Sequence, residues 1–359
     1  MIRLFFSALI GLPLIGGQLL TTDYTRDQAL RIEVESSFSM ETVDFSMEVD
    51  GEPQESRWGG GMNSTESRRI VMIDTVLEHD DGTPTRIRRE FEELSADSIR
   101  QMGDREFESE RECPLNEVVL ELSLDGGDVT AEVIEGSEPD NEAVLEGHQL
   151  TLALDALLPE EEVEAGDSWK MEGDAMLRAV GFDVEAALFP PPTRDAEGGD
   201  GEGGRGGRGR GMRGGGADAA RFFQNGDWTV EATLEADTED WQGVTCHVIK
   251  LEVEGEGELP ERERGDRGGR GGGGGGGGAA MLASAPIAPE NSYEVELEGV
   301  LYFSVEGGCP VHFEVEGSVA TESVTERSRG ESSMVMTSSK EGQFKYSVDV
   351  TRVASEDEN

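Results

Sequence analysis

Phe344-Lys345-Tyr346-Ser347-Val348-Asp349-Val350 is the stretch that decides how this chain is read. Its apolar residues fall at every second position, with Lys345, Ser347 and Asp349 between them. A strand sends successive side chains to opposite faces, so this spacing makes one face apolar and the other wet. A helix would split the same four apolar residues between two opposite sides. Working backwards, Val311 to Val319 and Tyr293 to Val305 alternate in the same way, and Gly307-Gly308 supplies the hairpin between them. Trp228 to Leu234 and Val244 to Val253 flank a turn at Gln242-Gly243. The N-terminal half repeats the texture. Leu30, Ile32 and Val34 are followed, after an expected short turn, by Val43, Phe45, Met47 and Val49. Ile70 to Leu77, Thr85 to Leu94, Val118 to Leu124, Val129 to Ile134 and Leu150 to Leu154 then read as strands, with turns at Asp81-Gly82 and Asp125-Gly126. Arg57 to Ser67 reads as a polar, Gly-rich loop.

The period changes once. Met176, Leu177, Val180, Val184 and Leu188 recur at helical spacing, so a helix is expected over 174–189, stopped by Pro190-Pro191-Pro192. Two Gly/Arg-rich tracts, 193–217 and 261–290, contain too little apolar surface to pay for order and are expected to be disordered insertions. The fold class is therefore mainly β: long curved antiparallel sheets in two lobes, or one large half-barrel, with a short amphipathic helix. The segments are an N-terminal signal peptide or anchor over 1–20 and a β lobe over 21–158. A connector and helix follow over 159–192, then the insertion over 193–217. A second lobe spans 218–354 around the tract 261–290, and 355–359 is a tail.

Export follows from the N-terminus. Arg3 precedes an apolar run from Leu4 to Gly17 broken only by Ser7 and Pro13, the pattern of a secretory signal or an uncleaved anchor. No membrane span beyond that anchor is expected, and the chain is placed in the periplasm, the cell envelope or the exterior. The charge is −47, with 77 Asp and Glu against 30 Lys and Arg. Such a field repels phosphate backbones, so no nucleic acid is expected as partner, despite Arg205, Arg208, Arg210 and Arg213. A flexible insertion between strands is expected there instead, with the chain's own acidic surface as the counter-charge available to its arginines. An oxidising compartment makes disulfides available to Cys113, Cys246 and Cys309. Cys246 with Cys309 is the preferred pair, and three reduced, buried thiols are the equal alternative.

Chemistry-bearing patterns are missing. His79, His148, His247 and His312 lack metal-ligand spacing and read as ordinary strand residues. Cys246 and His247 are adjacent, and adjacent strand residues point to opposite faces. Acidic runs at Asp125 to Asp128 and Asp237 to Asp240 lack the spacing of a calcium loop and read as turns. There is no nucleophile elbow, zinc-protease motif or phosphate-binding glycine loop, so no cofactor and no enzyme activity are expected. Gly166-Asp167-Ser168-Trp169 reads as a turn whose Trp anchors the following strand.

Leu157-Leu158-Pro159, Val163 and Gly166-Asp167-Ser168-Trp169, followed by a helix, resemble a signature of exported bacterial β-proteins of uncharacterised function. Gly299-Val300-Leu301-Tyr302-Phe303, the Gly307-Gly308 hairpin and Val319 are similar to their C-terminal texture. The resemblance covers about residues 150–325 and brings no activity; the Arg-Gly tracts depart from it as insertions. A remoter similarity is to lipoprotein-carrier half-barrels, in which a curved sheet wraps an apolar groove under helices. That likeness concerns fold and transfers no function.

The functional expectation is a binding module that holds an apolar ligand, such as a lipid, between sheet and helix. Met176, Leu177, Val180, Val184 and Leu188 would line it. The alternative is a structural or protein-interaction component of the cell envelope, with a hydrolase ranked last. The partner is accordingly an apolar small molecule or an envelope protein. A binding module requires an apolar cavity of roughly 300 Å³ or more, whereas a scaffold requires a filled core and an exposed patch.

Overall fold

The structure is a computed structural model and describes residues 17–54, 62–181, 188–189, 226–258, 290–329 and 332–353. Thirteen strands form one antiparallel sheet. In the N-terminal half these are β1 (Ala29–Val49), β2 (Glu52–Pro53), β3 (Met62–Asp80), β4 (Thr83–Met102), β5 (Arg105–Glu112), β6 (Val119–Asp125) and β7 (Asp128–Glu135). β8 (Ser168–Met171) is followed by β9 (Gly226–Trp241), β10 (Val244–Glu258), β11 (Glu290–Ser304), β12 (Cys309–Arg329) and β13 (Ser332–Val353). Their order is β7-β6-β4-β3-β1-β13-β12-β11-β10-β9-β8, with β2 beside β1 and β5 beside β4. The sheet stays open, with β7 and β8 as its edges.

The two lobes are thus one sheet, joined where β1 pairs with β13 from Ala29↔Val353 to Val49↔Met334. Register puts the apolar residues of both halves on one side. Ile32 faces Val350, Val34 faces Val348 and Phe38 faces Phe344, and the row continues through Gly317 and Leu297 to Val253 and Val230. One core results, running from Leu120 and Leu122 to Leu234. Gly255 makes room for it locally: a Cβ there would meet the Trp228 indole at 2.5 Å.

Several sequence-based boundaries are corrected. Leu30–Val34 and Val43–Val49 are not two strands around a turn but one 21-residue strand, with a register shift between Thr42 and Asp44. A bulge absorbs one residue and keeps the ladder running, so the alternation breaks without the chain turning. Met62 to Ser67, expected in a loop, opens β3, and Asp237 to Asp240 lie inside β9. Leu150 to Leu154 are not a strand. They lead into a short 3-10 helix, Ala153–Leu157, which follows another at Glu142–Leu145. β5 escaped the sequence reading because Arg105 to Glu112 alternate too few apolar residues.

The helix is also shorter than its periodicity predicts. α1 spans Gly173–Ala179 and ends at Gly181, whose φ of 61° is left-handed. Gly181 N–H donates to the Arg178 carbonyl, the glycine closure of a helix C-terminus. A continuous helix over 174–189 is therefore excluded. The tracts 193–217 and 261–290 lie outside the described residues, apart from Glu290, which opens β11. Among the described residues no helix is long and apolar enough to cross a membrane.

Candidate functional site

β1 is 21 residues long, about 70 Å at strand rise. The segments laid over the inner face are much shorter: the two 3-10 helices, α1, and the stretch around Leu158–Asp167. Among the described residues they cover only one half of it.

In the covered half the packing is dense. Met176 and Ala179 of α1 and the following Val180 are buried with Leu152, Leu154 and Leu157 against the sheet. Leu177 is half-buried at the edge of the same cluster, and Leu188 is fully buried. Val184 lies outside the described residues. The cavity between sheet and cover is about 60 Å³, lined by Ile32, Val34, Ile70, Leu152, Tyr346 and Val348 among others. That volume suits a couple of waters, not an acyl chain. The structure thus brings Met176, Val180 and Leu188 together as core filling. The space beside them holds no more than water, so a ligand expected between helix and sheet does not find room at this place.

Two buried polar clusters inside this half are satisfied from within. Arg89 donates from Nε and Nη2 to both Asp74 oxygens at 2.7 and 2.6 Å, and from Nη2 to the Gln149 carbonyl at 3.1 Å. Its Nη1 donates to His148 Nδ1 at 3.2 Å, while His148 Nε2 donates to the Val144 carbonyl at 3.1 Å. The imidazole is therefore neutral. Burial, reinforced by the adjacent guanidinium, lowers its pKa to about 3. His148 was expected in a strand; it sits instead in the covering segment, where loop backbone supplies its partner. Asp155 accepts from Thr22 Oγ1 at 2.5 Å and from Tyr24 OH at 2.6 Å, and the Leu152 N–H donates to the Tyr24 oxygen at 2.7 Å. Burial raises the Asp155 carboxyl and raises Tyr24 further, so this trio pins the cover and offers no nucleophile.

Leu20 and Tyr24 are core residues and Gln18 bridges to Val163, so the folded chain reaches back into the segment assigned to an N-terminal signal or anchor. Trp169 acts as the expected anchor: its ring packs on the core and Nε1 donates to the Leu157 carbonyl at 3.4 Å. The three cysteines are free and buried. Cys246 on β10 and Cys309 on β12 both stand opposite Ser304 of the intervening β11. Two strand spacings, about 9.5 Å, exceed the Cα separation a disulfide spans, so the preferred Cys246–Cys309 pair is corrected to two thiols.

The other half of the inner face is built differently. Beyond Phe38 and Met40 the same face continues through Phe45, Met47 and Val49 of β1, opposite Ser338, Met336 and Met334 of β13. On the neighbouring strands Met62 faces Met102, and Phe107 faces Arg100. Phe45 and Met62 are each 41% exposed and Phe107 is 51% exposed, and Met47, Met102, Met334 and Met336 are partly exposed. Among the described residues no element packs over them. Buried Glu66, with Arg68 and Arg100 each at 3.7 Å, marks the border between the halves. Sequence reasoning placed Phe45 and Met47 on an apolar face but gave no sign that the cover stops short of them.

The outer face carries a trough of about 1060 Å³ across β4 to β10, hollowed by the twist of these long strands. Arg69 there pairs with Glu33, Glu35 and Glu93, and Lys345 with Glu316. Among the described residues no group of three or more His, Cys, Asp or Glu is placed to hold a metal ion.

No family model matches the chain, and no curated protein matches it. A solved structure titled "Lipid-protein interactions in lipovitellin" is similar over 94% of this chain at 5% identity and a TM-score of 0.31. The chain spans 27% of that protein's length. At that score the likeness carries no argument about function.

Proposed function

We propose that this is an exported, non-enzymatic protein that binds an apolar ligand, such as a lipid, on the uncovered Met/Phe-rich half of its inner sheet face. One observation carries the reading: Phe45, Met47, Met62, Phe107 and Met336 lie on the core-forming face yet are left partly exposed, with nothing described above them. Burying such a surface is favourable at about 25 cal/mol per Å², so it gains from any apolar molecule that lies on it. Five methionines, Met47, Met62, Met102, Met334 and Met336, suit this role, because their flexible, polarizable side chains adapt to a ligand of variable shape. The charged network at Glu66, Arg68 and Arg100 bounds the face and would meet a polar headgroup. Export rests on the N-terminal apolar run after Arg3.

The test is native mass spectrometry of the full chain purified from the exported fraction, followed by organic extraction. A lipid bound to the natural protein and lost in the Phe45→Asp, Met336→Asp double variant supports the reading. A ligand-free natural protein that also fails to take up added oleate overturns it. Concentration-dependent self-association abolished by the same double variant would instead assign the face to a protein interface.

A further inference from the structure

Charges on the uncovered half of the sheet are sorted by sign. The face that carries Phe45, Met47 and Met62 also carries Arg68, Arg100, Arg105, Arg111 and Lys340, because alternation and register put them there. Arg68 and Arg111 both stand opposite Ala96, Arg100 opposite Ser64 and Phe107, Arg105 opposite Met102, and Lys340 opposite Thr42. Over 38–49 of β1, 62–68 of β3, 96–102 of β4, 105–111 of β5 and 334–344 of β13, Glu66 is the one carboxylate on this face. It is buried, with Arg68 and Arg100 each at 3.7 Å. Glu52 of β2 stands apart at the far strand tips, opposite Val49. On the other side of the same stretches the sign is reversed. β1 has Glu41, Asp44 and Glu48 there, β5 has Glu106, Glu108 and Glu110, and no Lys or Arg stands among them. Strand alternation in a chain with 77 Asp and Glu against 30 Lys and Arg explains a wet face and a dry face, not cations gathered on the dry one.

The cations also lie towards one end. Arg68 and Arg111 border the covered half, where Arg111 Nη1 donates to the Phe189 carbonyl at 3.2 Å. Arg100 stands at the level of Met40 and Lys340 at that of Thr42. Beyond Lys340, this face of β1 and β13 is uncharged: Phe45, Met47 and Val49 stand opposite Ser338, Met336 and Met334. From Lys340 to Met334 the strand runs about 20 Å at strand rise. One acyl chain reaches roughly 15 Å, half the thickness of a bilayer's hydrocarbon core. Arg100 Nε is buried and meets no acceptor among the described residues.

We propose that the ligand of this face is a single-chain amphiphile with an anionic headgroup. The headgroup sits among Arg68, Arg100 and Lys340, and the chain runs along Phe45, Met47, Met336 and Met334 towards the strand tips. The inference rests on the reading of this face as an apolar-ligand site, and it adds the charge and the direction of the ligand. A guanidinium presents a planar fork of donors that matches a carboxylate, and hydrogen bonds between ionised partners are the strong ones. The acidic remainder of the chain repels an anion, so a cationic patch on an apolar face also orients the molecule that binds there.

The experiment incubates the full chain with equal amounts of oleate and oleyl alcohol at about pH 8 and low salt. The protein is separated by gel filtration, and the retained molecules are extracted and measured by gas chromatography. The two probes share one chain and differ in headgroup charge. Oleate should be retained about tenfold over the alcohol, the size of one or two partly exposed charge contacts. The ratio should fall to about one in the Arg100→Gln, Lys340→Gln variant. It should persist in the Arg100→Lys, Lys340→Arg variant, which keeps both charges. Equal retention of the two probes by the natural chain overturns this inference and leaves the apolar-ligand reading standing, whereas retention of neither overturns that reading as well. A preference that survives the Gln variant, or that is lost equally in the charge-keeping one, overturns the placing of the headgroup among these cations.

Discussion

The two halves of the inner face have the same strands and the same alternation, and differ in what lies over them. In the covered half the 3-10 helices and α1 bury Leu154, Leu157, Met176 and Val180, leaving about 60 Å³ empty. In the other half Phe45, Met62 and Phe107 stay 41–51% exposed. Burial of one strand face is therefore not a property of the strand. A period-two pattern declares a face apolar, and what packs over that face decides whether it becomes core or surface.

The contrast predicts a graded set of outcomes. The largest concerns the buried ion pair of the covered half. Arg89→Met leaves the Asp74 carboxylate without its partner and should cost about 3–5 kcal/mol in denaturant unfolding. Asp74→Leu in the same chain should recover much of it. Next, Leu154→Ala should cost about 2–5 kcal/mol, because a fully enclosed site cannot collapse around the lost atoms. A loss as small as that of a surface change would mean the covered half is not close-packed.

The third outcome depends on pH. The folded pKa of His148, about 3, lies below its ordinary 6.5, so the unfolded chain takes up the proton first. Stability is therefore full above pH 6.5 and falls as pH drops through the window from 6.5 towards 3. By pH 5 the loss from this group is about 2 kcal/mol. Asp155 acts in the opposite direction, since its raised pKa makes acid relieve the cost of burying its charge. His148→Gln isolates the term: its unfolding free energy should lack this acid slope between pH 7 and 5. The smallest stability effect belongs to the uncovered half. Phe107→Ser and Met336→Ser should each change stability by less than about 0.5 kcal/mol while weakening ligand retention. If either costs as much as Leu154→Ala, that half is covered and the contrast fails.

Some of this was legible in the residues. The alternation places β11 within a few residues but stops ten short of the end of β12 and twelve short of the start of β13, where Ser, Thr and Glu break the apolar period; Asp81-Gly82, Asp125-Gly126 and Gly307-Gly308 are the turns they promise to be. Trp169 anchors where the Gly166 turn says it should. The helix was overread because Met176, Leu177, Val180, Val184 and Leu188 keep helical spacing across Gly181, and spacing does not register a left-handed residue. The Cys246–Cys309 pair failed because nearness to one sheet region says nothing about which strand lies between. The Arg89–Asp74–His148 cluster joins strand residues to a distant loop, so no local pattern announces it.

By itself the sequence determined that this chain is an antiparallel β-protein with one apolar and one acidic face, since side-chain period and charge are properties of neighbouring residues. Only the tertiary structure decided that β1 and β13 close the two halves into one sheet, that Cys246 and Cys309 stand apart, and that the described cover ends before Phe45. Those outcomes depend on register between segments far apart in the chain and on how far a short connection extends over long strands. Each is settled by the packing of the whole sheet and leaves no periodic mark along the chain.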